Sequence, residues 1–249
     1  MKYFHERTTA CETNTKYQLM FSGYYWAASQ IKNISECKIL DAACGTGYGS
    51  YYLSERAKEV IGIDVSPKAI AFCRKKYKRE NLTFIQMDCI DLKFDAGYFD
   101  TVVSLETLEH VRDDRKFLSE IRRVLRKEGM CIISTPNSLH HNQKPENIHH
   151  LREYSKDSFN ALVNNYFNNV DFYGRKLSKE LIKLETDLNN VRRYDKLDLR
   201  FLIPRRIRHL MADFIAIIKH DRLLEEISIK EIEYFTGTQD SATLITICR

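Results

Sequence analysis

The chain has no apolar run approaching the roughly 20 residues that a membrane-crossing helix needs. Its opening Met1-Lys2-Tyr3-Phe4-His5-Glu6-Arg7 does not read as a signal peptide. It also has no Cys-x-x-Cys pair. The seven cysteines, at 11, 37, 44, 73, 89, 131 and 248, are odd in number and scattered. That usage reads as reduced thiols, several of them in the core, in a cytoplasmic protein. No internal repeat or low-complexity segment breaks the chain. No strong charge of one sign is present either: 39 Lys and Arg against 34 Asp and Glu leave +5. What remains is 249 residues, 43% of them hydrophobic, enough for one large core or one domain with an elaboration. The mild charge is unevenly spread. From Arg175 to Arg222 there are 13 Lys/Arg and 7 Asp/Glu, so this segment carries +6 and the rest of the chain −1.

One stretch organises the rest: Lys38-Ile39-Leu40-Asp41-Ala42-Ala43-Cys44-Gly45-Thr46-Gly47-Tyr48-Gly49. A short apolar strand ends in a carboxylate, and a glycine-rich turn opens a helix, which is how an α/β protein presents a nucleotide-like ligand. Gly45 and Gly47 permit dihedrals and a close ligand approach that a side chain would block. Asp41 discriminates among ligands. A carboxylate beside the turn repels a pyrophosphate but suits an ammonium group, such as the one on the amino-acid end of S-adenosylmethionine.

Upstream, Tyr17 to Ile31 carries aromatic and apolar residues at helical spacing, either packed on the domain or set as a lid over the ligand. Downstream, Val60–Asp64 reads as a second strand ending in an acid that can accept bonds from both ribose hydroxyls. Ser66-Pro67 then caps and starts a helix. Leu82–Met87 is a third strand, followed by Asp88, suited to an adenine amino group. Phe99–Ser104 and Met130–Ser134 are strands four and five, flanking a charged-faced helix from Asp114 to Arg126. Ser155 caps another helix through Tyr166, Val170–Gly174 is a strand, and Ala242–Cys248 is the final one. Apolar strands alternating with amphipathic helices predict an α/β, doubly wound Rossmann-like sheet with its site on the strands' C-terminal edge.

These pieces resemble the class I S-adenosylmethionine-dependent methyltransferases. Ile39–Gly47, Val60–Asp64, Gln86-Met87-Asp88, Phe99–Val103 and Arg123–Gly129 keep that family's order and spacing across residues 37–174. Ala43 stands where many members have a first glycine. The resemblance implies seven strands in the order 3-2-1-4-5-7-6, the last antiparallel, and S-adenosylmethionine as methyl donor. The cofactor-binding set it implies is Asp41, Ala43, Gly45, Thr46, Gly47, Asp64, Val65, Asp88, Cys89 and Leu105. The domain is expected to span 36–176 and 228–249, after an N-terminal arm and aromatic helix over 1–35.

Ser104-Leu105-Glu106-Thr107-Leu108-Glu109-His110 follows strand four and faces the expected methyl donor. A helical turn would bring Glu106, Glu109 and His110 to one face. In one reading His110 is a general base, assisted by Glu106 and His150. In the other, Glu106, Glu109, His110 and His150 hold a divalent cation, Mg or Mn, that acidifies an acceptor hydroxyl. The Glu-x-x-Glu-His string is similar to that of ubiquinone-biosynthesis and small-RNA 2′-O-methyltransferases, where it supports metal binding. A third reading is a plain helix N-terminus whose dipole favours acids. His140-His141 and His149-His150 enrich the following loop.

Residues 177–227 read as a helical insertion, either a substrate cap, an interface or a membrane-surface contact. Arg192, Arg193, Arg200, Arg205, Arg206 and Arg208 are its candidates to meet phosphate or carboxylate. The resulting expectation is an O-methyltransferase for a small polar, anionic acceptor: a sugar, sugar nucleotide or phosphorylated metabolite, as in surface-glycan biosynthesis. The partner is a small molecule, and a homodimer is compatible with the chain. A metal-dependent RNA 2′-O-methyltransferase is the first alternative, although no RNA-binding module is visible and an excess of six charges is modest for nucleic acid. A non-catalytic S-adenosylmethionine-binding regulator is the second. A nicotinamide oxidoreductase is remote, given Asp41.

Overall fold

The structure, a computed structural model, describes residues 15–138, 145, 147, 149–177, 232–236, 241 and 243–249. Helix α1 (Thr15–Gln30) leads into strand β1 (Lys38–Ala42), α2 (Tyr48–Ser54), β2 (Glu59–Asp64), α3 (Pro67–Lys76) and β3 (Leu82–Gln86). Strand β4 (Phe99–Leu105) follows, then a short 3-10 turn (Leu108–His110), α4 (Asp114–Val124), β5 (Leu125–Pro136) and α5 (Lys156–Val163). Strands β6 (Val170–Leu177), β7 (Ile232–Thr236) and β8 (Thr243–Cys248) complete the sheet. The expected cap is present: the Ser66 hydroxyl accepts from the Ala69 amide, with Pro67 opening α3.

The strand order is β3-β2-β1-β4-β5-β8-β6-β7. Strands β1 to β5 pair in parallel, while β8 runs antiparallel to both β5 and β6. This is the expected arrangement, the final strand lying between the fifth and sixth, with one correction. An eighth strand, β7, adds to the edge by antiparallel pairing with β6, placing Tyr234 opposite Arg175. Its five residues, Ile232-Glu233-Tyr234-Phe235-Thr236, are few and lie just after the expected insertion, where no strand was expected. A second correction concerns β5, which starts at Leu125 rather than Met130 and takes in the expected turn at Gly129. The register slips between Phe99 and Thr101, and Gly129 lies against the Asp100 and Arg126 carbonyls, where a side chain would crowd backbone.

The central strands are buried on both faces, as parallel sheets between helices are. Leu40, Ala42, Ile61, Ile63 and Val102 point to one side and pack with Phe117, Leu118 and Ile121 of α4 and Phe159 of α5. Ile39, Val60, Val103, Ile132, Ile245 and Ile247 point to the other and pack under Tyr24, Ala27, Ala28 and Ile31 of α1 and Leu53 of α2. The aromatic helix α1 therefore packs on the sheet. The insertion over 177–227, its arginines, and His140-His141 lie outside the described residues, apart from Leu177 at the end of β6. Among the described residues no helix is long and apolar enough to cross a membrane.

Candidate cofactor and catalytic site

Alternation along β1 puts Asp41 on the same face as Ile39, under α1 and α2. The carboxylate is fully buried. Tyr24 donates to its Oδ1 at 3.0 Å and Ser50 to its Oδ2 at 2.5 Å. Burial pushes the Asp41 carboxyl up to about 6, while the two hydroxyl bonds pull the other way. The turn beyond it has a left-handed backbone at Ala43 (φ 63), Gly45 (φ 58) and Gly47 (φ 78). A non-glycine residue at positive φ is costly and concentrates at functional sites.

The three glycines of the motif serve different neighbours. A Cβ on Gly47 would strike Cys73 and Phe84, and one on Gly49 would strike the Tyr24 ring. A Cβ on Gly45 would meet nothing within 4 Å. Gly45 is thus the position where the turn opens to a ligand.

Asp64, buried at the end of β2, is aimed by two backbone donors: the Gly45 amide reaches Oδ2 at 3.0 Å and the Ser66 amide reaches Oδ1 at 2.8 Å. A carboxylate oxygen has more than one acceptor direction, so this arrangement suits a diol on the solvent side. Val65, beside it, is 61% exposed, an apolar surface at the rim. Asp88 is exposed and folds back on the Ile90 amide at 3.1 Å. Cys89 is half-buried, and burial pushes its thiol up to about 12, so it stays a neutral packing group. Thr46 and Leu105 are buried.

The turn after β4 differs from the expected single helical face. Glu106 has φ 52, which breaks any helix through it, and the short 3-10 turn begins only at Leu108. Glu106 consequently parts from Glu109 and His110. Its Oε1 accepts from the Ser134 hydroxyl at 2.8 Å, and its amide bonds back to Ser134. Glu109, His110 and His150 do converge, one ligand atom of each lying within 4.8 Å of the others. Glu109 is buried, takes the Thr135 hydroxyl at 3.0 Å, and sits 3.7 Å from His110 Nε2.

Hydrogen-bond chemistry assigns both imidazoles. His110 Nδ1 lies 2.9 Å from the His149 carbonyl, which only accepts, so Nδ1 carries the proton. His150 Nδ1 lies 3.0 Å from Glu153, and the same argument applies. The Asn147 amide donates to His150 Nε2 at 2.9 Å, its carbonyl end being taken by the His149 amide. His150 Nε2 therefore accepts from Asn147, while His110 Nε2 faces the Glu109 carboxylate at 3.7 Å. This buried carboxylate with two oriented imidazoles can accept a proton or ligate a cation.

Sequence reasoning missed Tyr24 and Ser50 on Asp41, Thr135 on Glu109, and Glu153 on His150. It also missed a group around Tyr234. The Ser22 and Tyr234 hydroxyls share a hydrogen bond at 2.9 Å, and Arg175 donates to Thr243 at 2.8 Å. Burial pushes the Tyr234 phenol up, Arg175 and Ser22 pull it back, and Glu106 adds to the rise.

A mostly parallel sheet with an antiparallel strand inserted beside β5, and a left-handed turn after β1 that joins Asp64 through the Gly45 amide, define a Rossmann-like domain. A methyltransferase-domain family matches residues 40–133. Over 128 residues the chain is 33% identical to a Mycobacterium tuberculosis protein named as an S-adenosylmethionine-dependent methyltransferase, covering 50% of this chain and 46% of that one. A phthiotriol/phenolphthiotriol dimycocerosates methyltransferase of Mycobacterium leprae is 34% identical over 43% of this chain and 40% of its own length. The matches thus span under half of each of these relatives. Among solved structures, a Thermotoga maritima S-adenosylmethionine-dependent methyltransferase superposes with a TM-score of 0.60 at 15% identity, covering 94% of this chain and 92% of the other. Residues 40–133 thus match a methyltransferase domain, set within a Rossmann-like fold shared with solved S-adenosylmethionine-dependent methyltransferases.

Proposed function

We propose that the protein is an O-methyltransferase that moves the methyl group of S-adenosylmethionine to a small polar, anionic acceptor, a sugar, sugar nucleotide or phosphorylated metabolite. The observation that carries the reading is the placing of His110 at the end of the β4 turn, its Nδ1 2.9 Å from the His149 carbonyl and its Nε2 3.7 Å from the buried Glu109 carboxylate. A hydroxyl acceptor must lose a proton as its oxygen attacks the sulfonium methyl, and an imidazole suits that task near neutrality. Asp64 would hold the ribose, and Gly45 and Thr46 would line the cofactor's path. Arg175 and Tyr234, facing each other across β6 and β7, support the anionic character of the acceptor. The name of the mycobacterial phthiotriol relative gives a triol as its acceptor, in keeping with oxygen as the receiving atom.

The convergence of Glu109, His110 and His150 favours a second reading, in which the same site holds a divalent cation. The donor set fits: a buried carboxylate and two imidazoles, each with its other nitrogen bonded to an oxygen acceptor. Two imidazoles suit Fe or Zn better than Mg, and the carboxylate is also a ligand that Mn accepts. Such an ion would supply Lewis acidity that lowers the pKa of an acceptor hydroxyl. Asn147 would have to yield His150 Nε2, and Glu106 would take no part.

The test is methyl transfer from labelled S-adenosylmethionine to sugar nucleotides, phosphorylated metabolites and short RNAs, with and without divalent metal. Transfer to an anionic small molecule supports the proposal. Transfer to RNA alone would turn the reading to a 2′-O-methyltransferase, and cofactor binding with no transfer to any acceptor would turn it to a regulatory binder.

A further inference from the structure

Three successive residues of α1 reach three separate elements. Ser22 bonds Tyr234 on β7 at 2.9 Å, and Gly23 lies where an added Cβ would come within 3.0 Å of Leu105. Tyr24 crosses to the end of β1, its ring filling the space that a side chain on Gly49 would need. Its hydroxyl donates to Asp41 Oδ1 at 3.0 Å, opposite the Ser50 hydroxyl on Oδ2 at 2.5 Å. Tyr24, Asp41 and Ser50 are all buried.

We propose that Tyr24 is a positioning residue for the cofactor: with Ser50 it holds the buried Asp41 carboxylate ionised beneath the glycine-rich turn, so that a cationic ligand such as S-adenosylmethionine binds at neutral pH. The inference rests on the cofactor reading above and adds a residue from outside the motif. A carboxylate stripped of water favours its neutral form unless donors replace the lost hydration. A neutral Asp41 would offer no attraction to an ammonium group. Burial pushes Asp41 up, the Ser50 and Tyr24 hydroxyls pull it down, and the balance falls at about 6.

The other groups facing this carboxylate leave that balance in place. Asp64 on β2 adds like charge that raises Asp41. The Cys44 thiol and Tyr24 phenol are themselves pushed up by burial and stay neutral across the physiological range, and Tyr48 of α2 lies against Tyr24. The sign follows directly. Cofactor binding that needs ionised Asp41 is complete above its pKa and is lost as pH falls through it. Removing a hydroxyl donor raises that pKa, so affinity is lost at a higher pH.

The experiment is calorimetric titration of the full chain with S-adenosylmethionine from about pH 5 to 8.5, for wild type, Tyr24→Phe, Ser50→Ala and Asp41→Asn. Wild-type affinity is expected to fall below about pH 6. Tyr24→Phe and Ser50→Ala should bind within about threefold of wild type at the alkaline end, with midpoints raised by about one to two pH units, the weight of one hydrogen bond to a charged group. Asp41→Asn should bind weakly and without that pH dependence. Unmoved midpoints in both hydroxyl variants would overturn the proposal, and Ser50→Ala decides alone if Tyr24→Phe fails to fold. A wild type that binds no S-adenosylmethionine at any pH would overturn the cofactor reading instead.

Discussion

The two halves of the sheet's C-terminal edge are built on different principles. At the cofactor half, backbone does the positioning: left-handed residues shape the turn, and the Gly45 and Ser66 amides aim Asp64. At the half proposed to meet the acceptor, side chains from distant parts of the chain position one another. Glu109 meets Thr135, His110 meets the His149 carbonyl, and Ser22 meets Tyr234, 212 residues on. A backbone-built site repeats wherever the turn sequence repeats, which is why we propose it as the cofactor's. A site assembled from remote side chains can change partner by partner, which lets a shared methyl donor serve different acceptors.

Substitutions at the acceptor half should lower turnover while sparing cofactor affinity, and the largest effect belongs to His110. His110→Ala is expected to slow transfer by about 100- to 10,000-fold, the usual weight of a general base. Unchanged turnover would remove His110 from the chemistry, and weakened cofactor binding would blur the division between the halves. Glu153→Gln should have a smaller effect, about tenfold, because it loosens the orientation of His150 without touching the reacting atoms. If the cation reading holds, that loss appears as a raised Mn²⁺ requirement, and EDTA abolishes activity that Mn²⁺ restores. Activity that survives EDTA would leave the proton-accepting role alone.

The smallest effect sharpens the comparison from the cofactor half. Asp41 titrates higher in the fold than the ordinary carboxylate range, so its contribution to stability is present at low pH and lost as pH rises from about 4 to 6. At neutral pH the buried charge costs up to about 3 kcal/mol. Asp41→Asn should therefore raise the melting temperature of the ligand-free protein at pH 7, by about 1–3 kcal/mol of stability, with the gap closing near pH 4. A destabilised variant at pH 7 would show that the Tyr24 and Ser50 bonds outweigh the desolvation.

This division also explains what could be read from the chain beforehand. The parallel strands, the Ser66 cap and the glycine turn were legible because short apolar runs and turn chemistry act over a few residues. The Glu109–His110 pair was legible as a string. Its separation from Glu106 was not, because a left-handed residue at position 106 depends on the bonds to Ser134 from the next strand. Strand β7 owes its place to pairing with β6 rather than to strong alternation of its own. Tyr24 was read as part of an aromatic helical face, but its partner Asp41 lies in another element, and no spacing rule links the two.

The central claim, a class I methyltransferase cofactor site organised by Asp64, is tested most directly by titrating S-adenosylhomocysteine into the wild type and Asp64→Ala at pH 8. The account predicts one-to-one binding by the wild type and affinity about 100-fold weaker in the variant, as for loss of hydrogen bonds to a charged group. Equal affinity in both, or no binding by the wild type, would contradict it.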